Sequence, residues 1–271
     1  MPNVNTPAHE ALAWIRNGFE RVRAEPARWL GMTLVYVALA LALKRIPFLG
    51  NFVLVLVTPV MFASALIAAR STNRVAAPVD AAGWARALTV DAARELFQVF
   101  RREEHAFAIV IVCIVTLGLV VLVNIPELLI TGGSVVSGLA GASMAGTMRP
   151  VTVVSMVVVL GLYLLLAMAL FYLVPLTLFG NRQAIPAVAE SFNTCLRYRK
   201  SLSIFVAPFL GINVLIMLSF SISHWIGYLL LAALGIVALP AFVIGLQASY
   251  QTLFETRAPA SASAISSGST T

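Results

Sequence analysis

Three histidines, two cysteines and eleven carboxylates are the groups in this 271-residue chain that could do chemistry. Nucleophilic or acid–base catalysis needs a nucleophile and a base within hydrogen-bond reach of each other. His9, His105 and His224 lie at the expected interfaces on different sides, and no nucleophile–base pair can be argued from them. Cys113 falls inside an apolar run and Cys195 in a basic segment, which suits neither a disulfide nor a metal site. There is no phosphate-binding P-loop, no zinc-ligand spacing and no Gly-x-Ser-x-Gly turn. The reading is a chain that is not an enzyme, with no catalytic residue, metal or cofactor.

Transport chemistry leaves a different mark, an ionisable group within an apolar span. Glu127 is the candidate. It follows Pro126, with Asn124 one turn earlier, near the far end of an apolar stretch. Its plain reading is an interfacial carboxylate in contact with water; its functional reading is a cation or substrate contact at the mouth of a bundle. Asn51, Asn213 and Gln247 are candidates for polar contacts between helices. Ser219, Ser221 and Ser223 read as a fraying helix end rather than a selectivity element.

The segments that carry these groups are apolar. Hydrophobic residues make up 60% of the chain and charged residues 11%, and the mean hydropathy is +0.94. Average soluble domains carry about a quarter charged residues, so lipid must act as solvent for much of this surface. A membrane β-barrel would show short alternating segments; these runs are continuous. Spanning the hydrocarbon takes about 20 apolar residues, and six stretches qualify: 29–43, 48–69, 106–130, 151–179, 202–222 and 225–254. The first twenty residues lack the basic start and apolar core of a cleaved signal peptide. Residues 131–149 form a Gly/Ser-rich loop, and the low-complexity tail 258–271 is expected to be disordered.

The net charge is +7. Basic residues flank membrane helices on the cytoplasmic side, so this surplus points to topology and to lipid, not to nucleic acid. Fifteen of the eighteen Lys and Arg fall in the N-terminal segment, the 70–105 and 180–203 connections and the tail; Lys44, Arg45 and Arg149 fall on the other side. Both termini are therefore expected in the cytoplasm.

Residues 8–23, 91–102 and 185–198 are amphipathic on a helical wheel. Ala8, Leu12, Ile15, Phe19 and Val22 oppose Arg16, Glu20, Arg21 and Arg23. Ala92, Leu96, Val99 and Phe100 oppose Arg94, Arg101 and Arg102. Ile185, Val188, Phe192 and Leu196 oppose Glu190, Thr194 and Arg197. Such helices lie in the membrane interface. Each precedes a plain span and then a span with a central proline, Pro59, Pro175 or Pro240. The chain thus reads as one membrane domain, 1–257, made of units 8–70, 84–180 and 184–255. The segments GFERVRAEPARWL, LFQVFRREEHAFAI and SFNTCLRYRKSLSI align, and the distances from Phe19, Phe97 and Phe192 to the prolines are 40, 78 and 48 residues. The long middle value reflects the Gly/Ser insertion. The expected fold is all-α and polytopic: six transmembrane helices in three hairpins, with interfacial helices and a pseudo-threefold repeat. The prolines are expected to kink their helices, as a hinge or a static bend.

WIRNGFERVRAEPARWLGM, IPFLGNFVLVLVTPVMFASALIAAR and SFNTCLRYRKSL resemble an uncharacterised, mostly proteobacterial family of inner-membrane proteins. More distantly the chain is similar to the membrane domain attached to some glycerophosphodiester phosphodiesterases, without their catalytic domain. The resemblance implies a bacterial inner-membrane location and no activity. The expected function is non-catalytic, acting through lipid or membrane-protein interactions. Arg16, Arg21, Arg23, Arg28, Arg94, Arg101, Arg102, Arg197, Arg199 and Lys200 are the candidate contacts to anionic lipid headgroups. The alternative is a small-molecule permease, which the three prolines and the repeat would serve.

Overall fold

The computed structural model describes residues 6–46, 49–71, 78, 80–101, 103–131, 150–180 and 182–256. Within them, the side chains of residues 51, 101, 103–106, 126–131, 150–157, 228 and 232 are outside the description, as are the 131–149 loop beyond its ends and the 258–271 tail. Every described element is helical, and no strand occurs among the described residues.

Pro7 opens α1, Pro7–Ala24, at a first-turn position where its missing N–H needs no partner. Glu25 breaks the helix with φ −130° and ψ 59°. The cause is local: the residue before a proline is disfavoured in the helical region, and Pro26 then opens α2, Pro26–Lys44. α3 is Leu49–Arg70 and runs unbroken through Pro59. The amphipathic stretch predicted at 91–102 is a chain of short pieces: α4 (Ala81–Arg86), a π turn (Ala87–Asp91), α5 (Ala92–Leu96) and a 3-10 turn (Gln98–Arg101). α6, Glu103–Thr131, is the third span.

The predicted fourth helix is two. α7, Pro150–Phe171, stops at Tyr172, and α8, Leu173–Phe179, resumes with Pro175 in its first turn. α9 is Ala184–Arg197, α10 Arg199–Ile222 and α11 His224–Tyr250, which runs through Pro240 and ends in a π turn, Gln251–Glu255. α10 also contains Pro208, which the sequence reading passed over. Six helical stretches are long and apolar enough to cross a membrane: Pro26–Lys44, Phe52–Arg70, Phe107–Ile125, Val158–Phe179, Arg199–Ile222 and His224–Glu255. The chain is therefore compatible with a multi-pass integral membrane protein.

The core is concentrated at one end. In α3 most buried residues lie from Pro59 through Ala69, in α11 from Ala238 through Tyr250, and in the α7–α8 stretch from Tyr172 through Leu178, with Val159 and Ala169 the buried described residues earlier in α7. Arg70 at the end of α3 pairs with Glu255 beyond α11 at 3.1 Å and lies over the Phe179 ring at the end of α8. The C-terminal ends of these three helices therefore meet. The short helices gather around them. α1 packs on α11 and α10, α5 on α3 and α2, and α9 on α7 and α8.

Candidate functional site

The ten basic candidates divide by environment. Arg28 is drawn inside. Its side chain is 8% exposed, Nε reaches Glu95 Oε2 at 2.8 Å, and Nη1 reaches the buried Glu25 carboxylate at 3.0 Å. Nη2 donates to Ser71 Oγ at 3.1 Å. Arg21 donates to the Ser71 carbonyl. Arg21 thus ties the end of α1, and Arg28 the start of α2, to the end of α3, and Arg28 also reaches α5; in this structure the Arg28 side chain is engaged by carboxylates. A buried guanidinium with matched carboxylates is held by them and not by solvent. Arg16 pairs with Glu20 at 2.9 Å, with both side chains largely exposed. Arg23, Arg94, Arg197, Arg199 and Lys200 are exposed and form no ion pair with another described residue. The side chains of Arg101 and Arg102 lie outside the described residues.

The faces that the short helices turn inward differ from the predicted apolar stripes. α1 buries Ala11, Trp14, Gly18 and Val22 and exposes Leu12 and Phe19; α9 buries Ala184, Ala187, Ser191 and Cys195 and exposes Ile185 and Leu196. The reason is close approach. A Cβ on Gly18 would stand 2.3 Å from the Ala241 carbonyl oxygen, and one on Gly245 would stand 3.1 Å from the Trp14 carbonyl oxygen. Only small side chains fit such a crossing, so the large apolar ones turn outward. α5 follows its predicted face, burying Ala92, Leu96 and Val99, with Phe100 exposed.

The Tyr172 break has a specific partner. In an unbroken helix the Tyr172 N–H would bond the Met168 carbonyl. Here the N–H donates to Ser191 Oγ at 2.9 Å, and Ser191 Oγ donates to the Met168 carbonyl at 2.8 Å. The hydroxyl of α9 is thus inserted into the α7 ladder. The fully buried Tyr172 hydroxyl pairs with Ser249 Oγ on α11 at 2.9 Å. Cys195, one turn after Ser191, is buried, and burial pushes its thiol up to about 12 against the opposing Ser191 hydrogen bond, so it stays protonated and unreactive near neutral pH. Among the cross-helix polar contacts are Tyr172–Ser249, Tyr172–Ser191 and a Gln98 donation to the Ser64 carbonyl at 3.0 Å. The Asn213 amide nitrogen donates within its own helix to the Phe209 carbonyl at 3.1 Å, and the buried Gln247 amide has no partner among the described residues.

Of the predicted prolines, all three are buried, but only Pro175 stands beside a break. Asn124 donates to its own helix at Val120, 2.7 Å, and lies 3.5 Å from the Tyr163 hydroxyl. The Glu127 side chain lies outside the described residues. His9 and His224 sit at opposite ends of α11: His9 lines a cleft with Gln251 and Thr256, whereas His224 opens the helix. They cannot act on one substrate.

Two clefts reach the membrane-spanning segments. One, of about 240 Å³, lies between α2, α3 and α11, with Met32, Tyr36, Met61, Leu239, Pro240 and Val243 among its walls. The other, of about 300 Å³, lies between α3, α6 and α7–α8, walled by Thr58, Pro59, Phe62, Thr116 and Val174 among others. Both are lined almost wholly by apolar side chains. The first carries one polar pair, the Tyr36 and Thr58 hydroxyls at 3.3 Å. Because the Thr58 hydroxyl donates to the Leu54 carbonyl at 2.7 Å, it accepts from Tyr36.

No protein-family model, no curated protein and no solved structure matches the chain.

Proposed function

We propose that this chain is a non-catalytic protein of the bacterial inner membrane that works by holding anionic lipid at its cytoplasmic face. One observation carries the reading: three short helices at one end of the bundle, with the start of α10, carry exposed large apolar side chains and exposed basic ones that form no ion pair with another described residue. Leu12 and Phe19 accompany Arg23, Phe97 and Phe100 accompany Arg94, and Ile185 and Leu196 accompany Arg197, Arg199 and Lys200. Such a surface fits the boundary between acyl chains and phosphate headgroups, where each basic residue contributes on the order of 1 kcal/mol. The apolar clefts suit an acyl chain and offer a polar solute no path, which favours lipid binding over permeation.

The reading includes the topology and the repeat. Both termini lie in the cytoplasm, and one membrane domain carries three hairpin units, 8–70, 84–180 and 184–255. Support for a cyclic order comes from the packing of the short helices. The first unit's α1 packs on the third unit's proline helix, the second unit's α5 on the first unit's, and the third unit's α9 on the second unit's. Kinship with the bacterial inner-membrane family, which rests on the quoted motifs, is part of the same proposal.

The test is co-purification. The full chain is extracted with native lipid and compared with a variant carrying Gln at Arg23, Arg94, Arg197, Arg199 and Lys200. Phosphatidylglycerol and cardiolipin retained per chain are expected to fall at least threefold, with thermal unfolding in detergent unchanged. Equal retention would reduce these residues to a topology signal and sink the proposal.

A further inference from the structure

We infer that the cleft between α2, α3 and α11 is a built site for one acyl chain of a membrane lipid, and that the fold seals the corresponding space between α10 and α11 with its own side chains. The inference rests on the lipid-holding reading above and adds the place and the part of the lipid that is bound.

The argument compares positions related by the repeat. Aligning Gly18 with Ser191 makes Met32 and Tyr36 of α2 correspond to Phe205 and Phe209 of α10. Aligning Pro59 with Pro240 makes Met61 of α3 correspond to Phe242 of α11. Met32, Tyr36 and Met61 line the open cleft. Their three counterparts instead pack on one another, with ring centroids 5.5 Å apart for Phe205 and Phe242, 5.2 Å for Phe209 and Phe242, and 5.5 Å for Phe205 and Phe209. Phe171 closes the group from α7, 6.1 Å from Phe242. The fold can thus fill this space with aromatic rings, and at the α2–α3–α11 seam it does not.

The second cleft supports the equivalence. The neighbouring unit's proline helix presents Leu239, Pro240 and Val243 to the first cleft and Thr58, Pro59 and Phe62 to the second. These are the same offsets from each proline. An empty cavity of this size inside a packed protein forfeits the contacts of its lining atoms. Within a span, the molecule at hand to restore them is a lipid chain. The apolar walls accept methylenes; of the hydroxyls in the lining, Tyr36 donates to Thr58 and Thr33 donates to the Trp29 carbonyl at 2.9 Å, while the buried Trp29 indole N–H has no partner among the described residues.

The test uses the full chain in nanodiscs containing phosphatidylglycerol with a photoreactive diazirine at the end of one acyl chain. Cross-links are mapped by peptide mass spectrometry. The parent is expected to label at Met32–Tyr36 and Met61–Ala65 more strongly than at Ile222 and Leu229, which are exposed on the outer half. The variant Met32→Phe/Tyr36→Phe/Met61→Phe brings in the aromatic filling of the other seam. It is expected to lose the cleft label at least tenfold while keeping the outer label and the total phosphatidylglycerol retained by the basic collar. A second variant, Phe209→Ala, opens the sealed seam from the side away from the cleft, keeps Phe242, whose ring packs on Phe209 and also lines the cleft, and is expected to gain label at Phe205. Cleft labelling that survives the triple substitution overturns the inference, as does a parent that labels no more in the cleft than on its outer surface, or Phe209→Ala with no new label. Loss of all retained lipid from the parent would instead count against the lipid-holding reading itself.

Discussion

One hydroxyl, that of Ser191, serves both sides of the Tyr172 break. It accepts from the Tyr172 N–H and donates to the Met168 carbonyl, which the Cys195 thiol also approaches at 3.5 Å. A buried group stripped of its hydrogen bond costs about 1–3 kcal/mol. Ser191→Ala leaves the Tyr172 N–H unsatisfied and the Met168 carbonyl with only that weak thiol donor, so it is expected to lower the unfolding free energy by about 1–3 kcal/mol in a detergent melt. Ser191→Thr retains the hydroxyl and should lose less. A melt for Ser191→Ala indistinguishable from the parent would mean that the break is held by Pro175 and packing alone. The break itself was legible: Pro175 cannot donate to the Phe171 carbonyl and its ring crowds that group, so a kink just before Leu173 follows from the sequence. What was not legible is the partner that satisfies the freed backbone. The residue that stitches the break stands sixteen positions after the proline, in an element whose face toward α7 cannot be read from a helical wheel.

Elements were legible as far as apolar length decides them. The six spans follow from the cost of leaving backbone polar groups unbonded in lipid, which forces each long apolar run into a helix, and the predicted limits fall within a few residues of the observed ones. What the wheel could not decide was which side of an amphipathic helix meets protein. In α1 and α9 small residues such as Ala11, Gly18, Ala184, Ala187 and Ser191 face in, with Trp14 and Val22, while Leu12, Phe19, Ile185 and Leu196 face out, because helices that cross closely need small residues at the point of contact. Gly18 makes the point testable. Its Cβ position is 2.3 Å from the Ala241 carbonyl oxygen, so Gly18→Ala, normally favourable by up to about 1 kcal/mol inside a helix, should here push α1 off α11. Hydrogen–deuterium exchange across Pro7–Ala24 is expected to rise at least tenfold, with the spans α3 and α6 unchanged. Protection equal to the parent's would show that α1 is not held by this crossing.

At the scale of the whole molecule, the arrangement of charge and the arrangement of packing point the same way. The basic surplus, read from the sequence as fifteen residues on one side against three on the other, is the end at which the structure gathers α1, α5, α9 and the buried Glu25–Arg28–Glu95 ion pairs. That end is also where the core lies, while the other halves of the spans expose Leu41, Leu122, Leu164, Leu218 and Leu229. A bundle anchored at its basic end and loose at the other presents that loose half to lipid. Its orientation follows from the rule that Lys and Arg in short connections stay in the cytoplasm, and two fusions test it. Alkaline phosphatase, active only outside the cytoplasm, is joined after Ser223, in the connection between α10 and α11, or after Arg86, at the end of α4. The Ser223 fusion is expected to be active and the Arg86 fusion inactive in a bacterial host. Activity at Arg86 with none at Ser223 would turn the molecule over. It would place the unpaired Arg23, Arg94, Arg197, Arg199 and Lys200 on the far side of the membrane, and the lipid that meets them would then belong to the outer leaflet.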